Sequence, residues 1–438
     1  MNPAGHQRLA KRARFMYEKQ SYEPALRYID RALKTDPGNL GYKALKVDIL
    51  HEVDRHEEAL ALSEEALGSD PWSHEWLFNK AWSLYRLGRH AEALACIDGA
   101  IGDSADNLMY LDAKAKILHG LGRNEEALEL VERLLDLNPD DPMSRSAREG
   151  LLRDMGRYED ALKIADAELE ASPDSPRALA KKADLLLRLG RHDESIRHVD
   201  LALGDSPGNV PWLFTKAMNL YEMGHHGGAV KCMDEALASD PGNPMLHAGR
   251  AVFLSNLSRF DEAIGSADKA LAISPESAKF LGIKGDILLR MRRHADALVC
   301  MDRSLELDPR SLAVLVSRSD ALRETERLDE ALASMDAALA ISPRMHALLL
   351  RRTRILHELG RVDDALAQIR EALEAFPNDP AFMRAAAYAL AGSGRPREAL
   401  PYVDAILARN PADVQMLGIK AGVAAAAEKA GGDGAPSV

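Results

Sequence analysis

Cysteine is nearly absent, with three thiols in 438 residues, and so few in so long a chain exclude a disulfide framework. Long apolar runs are missing too. No stretch approaches the ~18 uncharged apolar residues of a membrane-spanning helix, and the opening MNPAGHQRLAKRAR has basic residues without the apolar run of a secretory signal. Membrane insertion is therefore not expected, and the expected location is the cytoplasm. Positive charge is in deficit at a formal −12, which disfavours a backbone-tracking nucleic-acid binder, because phosphate contacts need a basic surface. The deficit is uneven: residues 1–35 hold eight Lys/Arg against three Asp/Glu, leaving −17 for the remainder. Aromatics make up only 5% of the chain, so each one is informative; hydrophobic residues at 46% are ample for folding.

What is present in abundance is repetition. Prolines fall at 37, 71, 139, 173, 207, 241, 275, 309, 343, 377 and 411, every gap being 34 residues or twice 34, with Ala105 at the one vacancy. Placing this proline at position 32 starts the units at His6, Leu40, His74, Leu108, Pro142, Pro176, Val210, Pro244, Ala278, Leu312, His346 and Pro380. Position 20 is Ala in eleven units (Ala25 through Ala399) and Ser195 in the other, so only a small side chain fits there. Position 11 is Leu from Leu50 to Leu390, with Met16 in the first unit. Apolar spacings of three, four and seven within each half predict two amphipathic helices per unit. Gly88, Gly122, Gly156, Gly190, Gly224, Gly360 and Gly394 sit where a left-handed cap would stop the first helix, and the Asp-Pro and Ser-Pro pairs stop the second.

These units resemble tetratricopeptide repeats, on the helix junction Leu87-Gly88-Arg89-His90-Ala91-Glu92-Ala93-Leu94 and the closing turn Ala236-Leu237-Ala238-Ser239-Asp240-Pro241 recurring in register from residue 6 to about 429. The family's large aromatics at positions 4, 11 and 24 are mostly Leu, Met, Ile and Val here, a style associated with archaeal and bacterial members. The resemblance implies an all-α fold, an α-solenoid in which twelve helical hairpins stack as a right-handed superhelix with the first helices lining a concave groove. It also implies a protein-interaction scaffold or adaptor that binds peptide or helical segments of partner proteins in that groove, with no enzymatic activity and no cofactor. The expected organisation is a tail at 1–5, twelve repeats over 6–411, a capping helix at 412–429 bearing Leu417, Lys420 and Ala421 at positions 4, 7 and 8, and a disordered tail at 430–438.

Features that tempt a chemical reading yield to the repeat. Cys96, Cys232 and Cys300 all fall at position 23, whole units apart, as packing residues. His56, His90, His192, His226 and His294 all fall at position 17, spread along the chain without ligand spacing, so no metal site is expected. The family's clamp for a C-terminal carboxylate is absent: Asn79 stands at a position 6, but Ala44 and Asp48 precede it and Met109 and Ala113 follow.

Three features set expectations for the structure. Position 7 is Lys or Arg in twelve of thirteen first helices (Ala386 is the exception), and position 25 is acidic in eleven of twelve units (Arg370 is the exception). Pairing position 25 with position 7 of the next unit puts both exceptions on one contact and predicts Asp98–Lys114, Asp200–Lys216 and Asp404–Lys420. The fifth unit carries Arg145, Glu149 and Glu168 where the pattern has Leu, Ala and Ala, which predicts an Arg145-centred polar cluster and a weak joint. The third unit presents Phe78, Trp82 and Tyr85, and the seventh Phe214, Met218 and Tyr221, at groove positions 5, 9 and 12. Open apolar groups of this kind mark partner-binding surfaces. The four-unit spacing, with the superhelix the resemblance implies, sets the two walls opposite each other.

Overall fold

The computed structural model describes residues 3–102 and 106–432, which form 25 helices and, among the described residues, no strand. The chain divides into two compact units at His198/Val199. The first holds the hairpins α1 (Pro3–Glu18) with α2 (Tyr22–Thr35), α3 (Leu40–Glu52) with α4 (His56–Leu67), α5 (His74–Arg86) with α6 (His90–Ile101), α7 (Leu108–Gly120) with α8 (Asn124–Leu137), and α9 (Pro142–Asp154) with α10 (Tyr158–Ala171). It ends with α11 (Pro176–Arg188) and the start of α12 (His192–Asp205). The second holds α13 (Val210–Glu222) with α14 (His226–Ser239), α15 (Pro244–Asn256) with α16 (Phe260–Ile273), α17 (Ala278–Arg290) with α18 (His294–Leu307), and α19 (Leu312–Glu324) with α20 (Leu328–Ile341). The hairpins α21 (His346–Glu358) with α22 (Val362–Ala375) and α23 (Pro380–Gly392) with α24 (Pro396–Arg409) follow, and α25 (Val414–Gly432) closes the chain.

From α3 onward, every first helix starts at position 1 of the 34-residue frame. The residue before it explains why: Asn39, Asn107, Asp141, Ser175, Asn209, Asn243, Ser277 and Asp379 each accept a hydrogen bond from a first-turn backbone N–H. The ends differ from the expected boundaries. α1 begins at Pro3 rather than His6, because proline is tolerated in the first turn of a helix. The closing helix starts at Val414, where Asp413 caps the Met416 N–H at 3.1 Å, and runs to Gly432 rather than 429. Residues 433–438 of the expected tail lie outside the described residues.

The hairpins close at positions 8 and 20. All twelve position-20 residues have no solvent exposure, Ser195 included. Contact there is so close that Ser195 Oγ donates to the Ala183 carbonyl at 2.5 Å and Ser319 Oγ to the Ala331 carbonyl at 2.9 Å. The turn after each first helix puts position 15 at positive φ throughout: seven glycines at 71–76°, and Gln20, Asp54, Ser258, Arg292 and Glu326 at 56–60°. The last five carry no glycine signal, yet the neighbouring helices impose the same backbone.

The repeats are joined by the charge ladder. All eleven position-25 acids meet the base sixteen residues on: Asp98–Lys114 at 2.7 Å, Asp200–Lys216 at 2.8 Å, Asp404–Lys420 at 2.7 Å, and the other pairs between 2.5 and 3.4 Å. The bases lie mostly buried beneath half-exposed acids, so each rung contributes little energy and mainly sets stacking register. At three of the Arg bases position 23 supplies a second acceptor: Arg250 donates to Ser266 at 2.8 Å, Arg318 to Ser334 at 2.5 Å and Arg352 to Gln368 at 2.5 Å. Cys96, Cys232 and Cys300 occupy that same position above Lys80, Lys216 and Lys284, which explains their spacing. A second ladder, unread in the sequence, runs within the second helices. The residue before each is Arg in ten units, and it forks onto the carboxylate three residues on, as in Arg89–Glu92 and Arg327–Glu330 at 2.6 Å.

One expectation is corrected. Arg145 does not centre a buried cluster: it is exposed and donates to the Pro139 carbonyl at 2.9 and 2.7 Å and to Asp140 at 2.5 Å, because loop acceptors are within reach at the start of α9 without desolvating the guanidinium. The cluster is centred on Lys181 of the next repeat, which meets buried Glu149 at 2.7 Å and Glu168 at 3.2 Å. Burial opposes the ammonium, but these carboxylates outweigh it and raise its pKa. In the closing helix, Met416 and Val423 are buried while Leu417 is 44% exposed, since among the described residues no second helix packs over its position 4.

Candidate partner-binding surfaces

In the first unit, α5 carries the first aromatic set on its face toward α7. Phe78, Trp82 and Tyr85 are half-buried, whereas Trp76 on the opposite side is fully in the core. The Phe78 ring lies 5.2 Å from that of Tyr110 on α7, Trp82 lies 5.2 Å from Tyr85, and Tyr85 lies 5.5 Å from His90 at the start of α6. Lys116 places its ammonium 5.7 Å from the Trp82 ring and pairs with Asp112 at 2.6 Å. The aromatics are neither free nor fully packed. They form a continuous step onto the next repeat, with one edge of each ring supported and the other open.

The second unit builds the corresponding set on α13. Phe214, Met218 and Tyr221 are half-buried. Tyr221 lies 5.0 Å from Phe253 on α15 and 5.2 Å from His226, and its hydroxyl accepts from Asn256 Nδ2 at 3.2 Å. Tyr221 also lines a cavity of about 340 Å3 together with Val252, Ile283, Ile287 and Asp286. Burial pushes the Asp286 carboxyl up, against the Ser317 hydrogen bond and the Arg290 charge that lower it. Arg290 in turn donates to Ser255 at 2.8 Å and Asn256 at 2.9 Å, so the cavity combines an aliphatic floor with a fixed polar rim.

Sequence reasoning missed the supports: Tyr110, Phe253, Lys116 and Asn256 sit at positions 3, 10, 9 and 13 of the following repeats, and only the stacking brings them to the aromatics. The position-17 histidines His90 and His226 prove to be the rings that close each step at its far end. Among the described residues no group of three His, Cys, Asp or Glu is placed to hold a metal ion, and no helix is long and apolar enough to cross a membrane.

Tetratricopeptide repeat profiles match residues 45–108, 78–142, 150–210, 214–278, 284–346 and 384–433, and a second profile of the same description matches 322–387. The chain belongs to the tetratricopeptide repeat family. No curated protein matches it in sequence. Similar solved structures include the APC/C hetero-tetramer Cut9-Hcn1, 12% identical with a TM-score of 0.43 and 96% of each chain covered. Yeast Tom70 is 15% identical with a TM-score of 0.44, covering 98% of this chain and 96% of its own. A tetratricopeptide repeat protein from Parabacteroides merdae is 17% identical with a TM-score of 0.48, covering 57% of this chain and 98% of its own.

Proposed function

We propose that this tetratricopeptide repeat protein is a non-catalytic scaffold of the cytoplasm that holds peptide or helical segments of partner proteins against its first-helix face, with the aromatic steps on α5 and α13 as the anchoring sites. The observation that carries this reading is the half-burial of six large side chains, among which the Phe78 and Tyr221 rings rest on Tyr110 and Phe253 of the next repeat and Trp82 lies against Lys116. Supported rings are held in one geometry, so a partner side chain docking on them loses little to further ordering, and such anchors carry most of an interface's energy. The mixed charges around them, Asp112, Lys116, Asp286 and Arg290, orient the bound segment and speed its capture.

The test is affinity capture from the source organism with the wild-type chain and a Trp82→Ala, Tyr221→Ala double variant. Loss of specific partners at unchanged helical circular dichroism supports the reading, whereas retained capture by the folded variant sinks it. A gel shift at moderate salt tests the nucleic-acid alternative, and with a net charge of −12 no shift is expected.

A further inference from the structure

The first helix of the array exposes a surface that every later first helix buries. Position 10 is enclosed in all twelve later cases, from Ile49 and Ile117 at 0% through Leu185 at 1% and Phe253 at 3% to Val423 at 4%. Phe15 holds the same position in α1 and is 54% exposed. Position 3, buried as Trp76, Leu246 and Phe382, is Arg8 here, and positions 6, 7 and 14 are Lys11, Arg12 and Lys19, all exposed. Four cations therefore surround one bare phenylalanine, on a chain whose net charge is −12.

Among the described residues none of the four forms an ion pair. The Arg12 guanidinium lies 5.0 Å from the Tyr28 ring, and the Lys19 ammonium 6.0 Å from the Phe15 ring. Arg12 is the ladder base of the first repeat. In the eleven joints where such a base follows an acidic second helix, it meets a carboxylate at 2.5–3.4 Å. A face shaped only for solubility would hide its phenylalanine and mix its charges. Glu18 is the single acid of α1.

We infer that the Arg8/Lys11/Arg12/Phe15/Lys19 face of α1 docks an acidic amphipathic helix of a partner protein, seated as a preceding repeat's second helix would be, with a partner carboxylate on Arg12 and a partner apolar side chain over Phe15. The occupant's chemistry follows from the joint itself: the second helices that fill this place within the array present an acid at position 25 in eleven of twelve units. The surface is separate from the aromatic steps, so it stands or falls independently of them.

The experiment uses the full chain and a fluorescein-labelled synthetic peptide with the sequence of residues 56–71, HEEALALSEEALGSDP, whose Glu64 meets Lys80 at 2.9 Å in its native joint. Anisotropy should report saturable, salt-sensitive binding that weakens at least about tenfold with Phe15→Ala and with Arg12→Gln. A Glu64→Gln peptide should lose affinity for the wild type but little further for Arg12→Gln, since the two changes remove one contact. All the substituted residues are exposed, so melting by circular dichroism should stay unchanged; Arg8→Glu serves as a second variant if one of them unfolds. Binding that is absent, or equal in wild type and variants, overturns the proposal. So does flotation of the chain with phosphatidylserine–phosphatidylcholine vesicles in the absence of peptide binding, which would make α1 a membrane-contact helix.

Discussion

The fifth and tenth hairpins, α9–α10 and α19–α20, are written in the same 34-residue grammar and differ in how their interiors are satisfied. In the tenth, Arg318 reaches Asp302 at 2.6 Å and Ser334 at 2.5 Å, and Ser319 bonds across to Ala331. In the fifth, Ile164 stands where Ser334 stands, so Arg148 has no second acceptor: it reaches Glu132 at 3.4 Å, and its Nε is buried without a partner. Glu149 replaces Ser319, and its charge is met only by Lys181 of the next repeat. A cavity of about 840 Å3 opens over this hairpin, lined by Leu128, Arg148, Leu152, Ile164 and Glu168. The comparison teaches that a repeat array tolerates charge at a core position when the neighbouring repeat supplies the counter-charge. It also shows that such a hairpin depends on its neighbour more than a regular one does.

The largest effect is expected from Lys181→Met, which leaves Glu149 buried and unpaired and should destabilise the region by about 3–5 kcal/mol. Hydrogen exchange should then show α9 and α10 losing protection while α19 and α20 keep theirs. The triple change Glu149→Ala, Glu168→Ala, Lys181→Leu restores the regular pattern and should match or exceed the wild type in urea resistance. If Lys181→Met is silent, the fifth hairpin does not depend on its neighbour.

Next in size is the second acceptor of the ladder. Ser334→Ala strands an Arg318 N–H and should cost about 1–3 kcal/mol, whereas Ile164→Ser should be near neutral, the new bond to Arg148 offsetting lost apolar burial. Equal effects in the two hairpins would remove the distinction. Smaller still are the rungs: Asp302→Asn and Glu132→Gln should each cost about 0.2–1 kcal/mol in low salt and less in high salt, with the longer Glu132 rung losing less. The smallest effect should be common to both hairpins. Lys163 and Arg157 hold the Asp160 carboxyl below the usual carboxylate range, and Arg327 does the same for Glu330. A carboxyl depressed in the folded state contributes stability above its unfolded pKa of roughly 4, and that contribution is lost as pH falls through the folded value. Melting from pH 5 down to pH 3 should therefore fall slightly less in Asp160→Asn and Glu330→Gln than in the wild type.

Much of this was legible because a period is a physical statement. The unbroken 34-residue spacing could not survive unless each unit were the same hairpin, and the shared failure of Arg370 and Ala386 identifies the ladder pairing from residue types alone. The aromatic steps were legible only by half. Phe78, Trp82, Tyr85, Phe214, Met218 and Tyr221 announce themselves as large residues at open positions, but Tyr110, Phe253 and Lys116 look like ordinary members of their own repeats.

The sequence by itself therefore determined the fold class, the register of the helices and the partner of each charge along the ladder, because these depend on periodicities that any one repeat shares with the next. The tertiary structure alone decided where departures from the period go. Arg145 turned outward to the Pro139 carbonyl and the Asp140 carboxylate, Lys181 inward to Glu149, and Phe15 was left bare at a position buried in every later repeat. Those outcomes rest on which acceptor, counter-charge or covering helix lies within a few ångströms, and that distance is set by neighbours at least five residues and often more than thirty away along the chain.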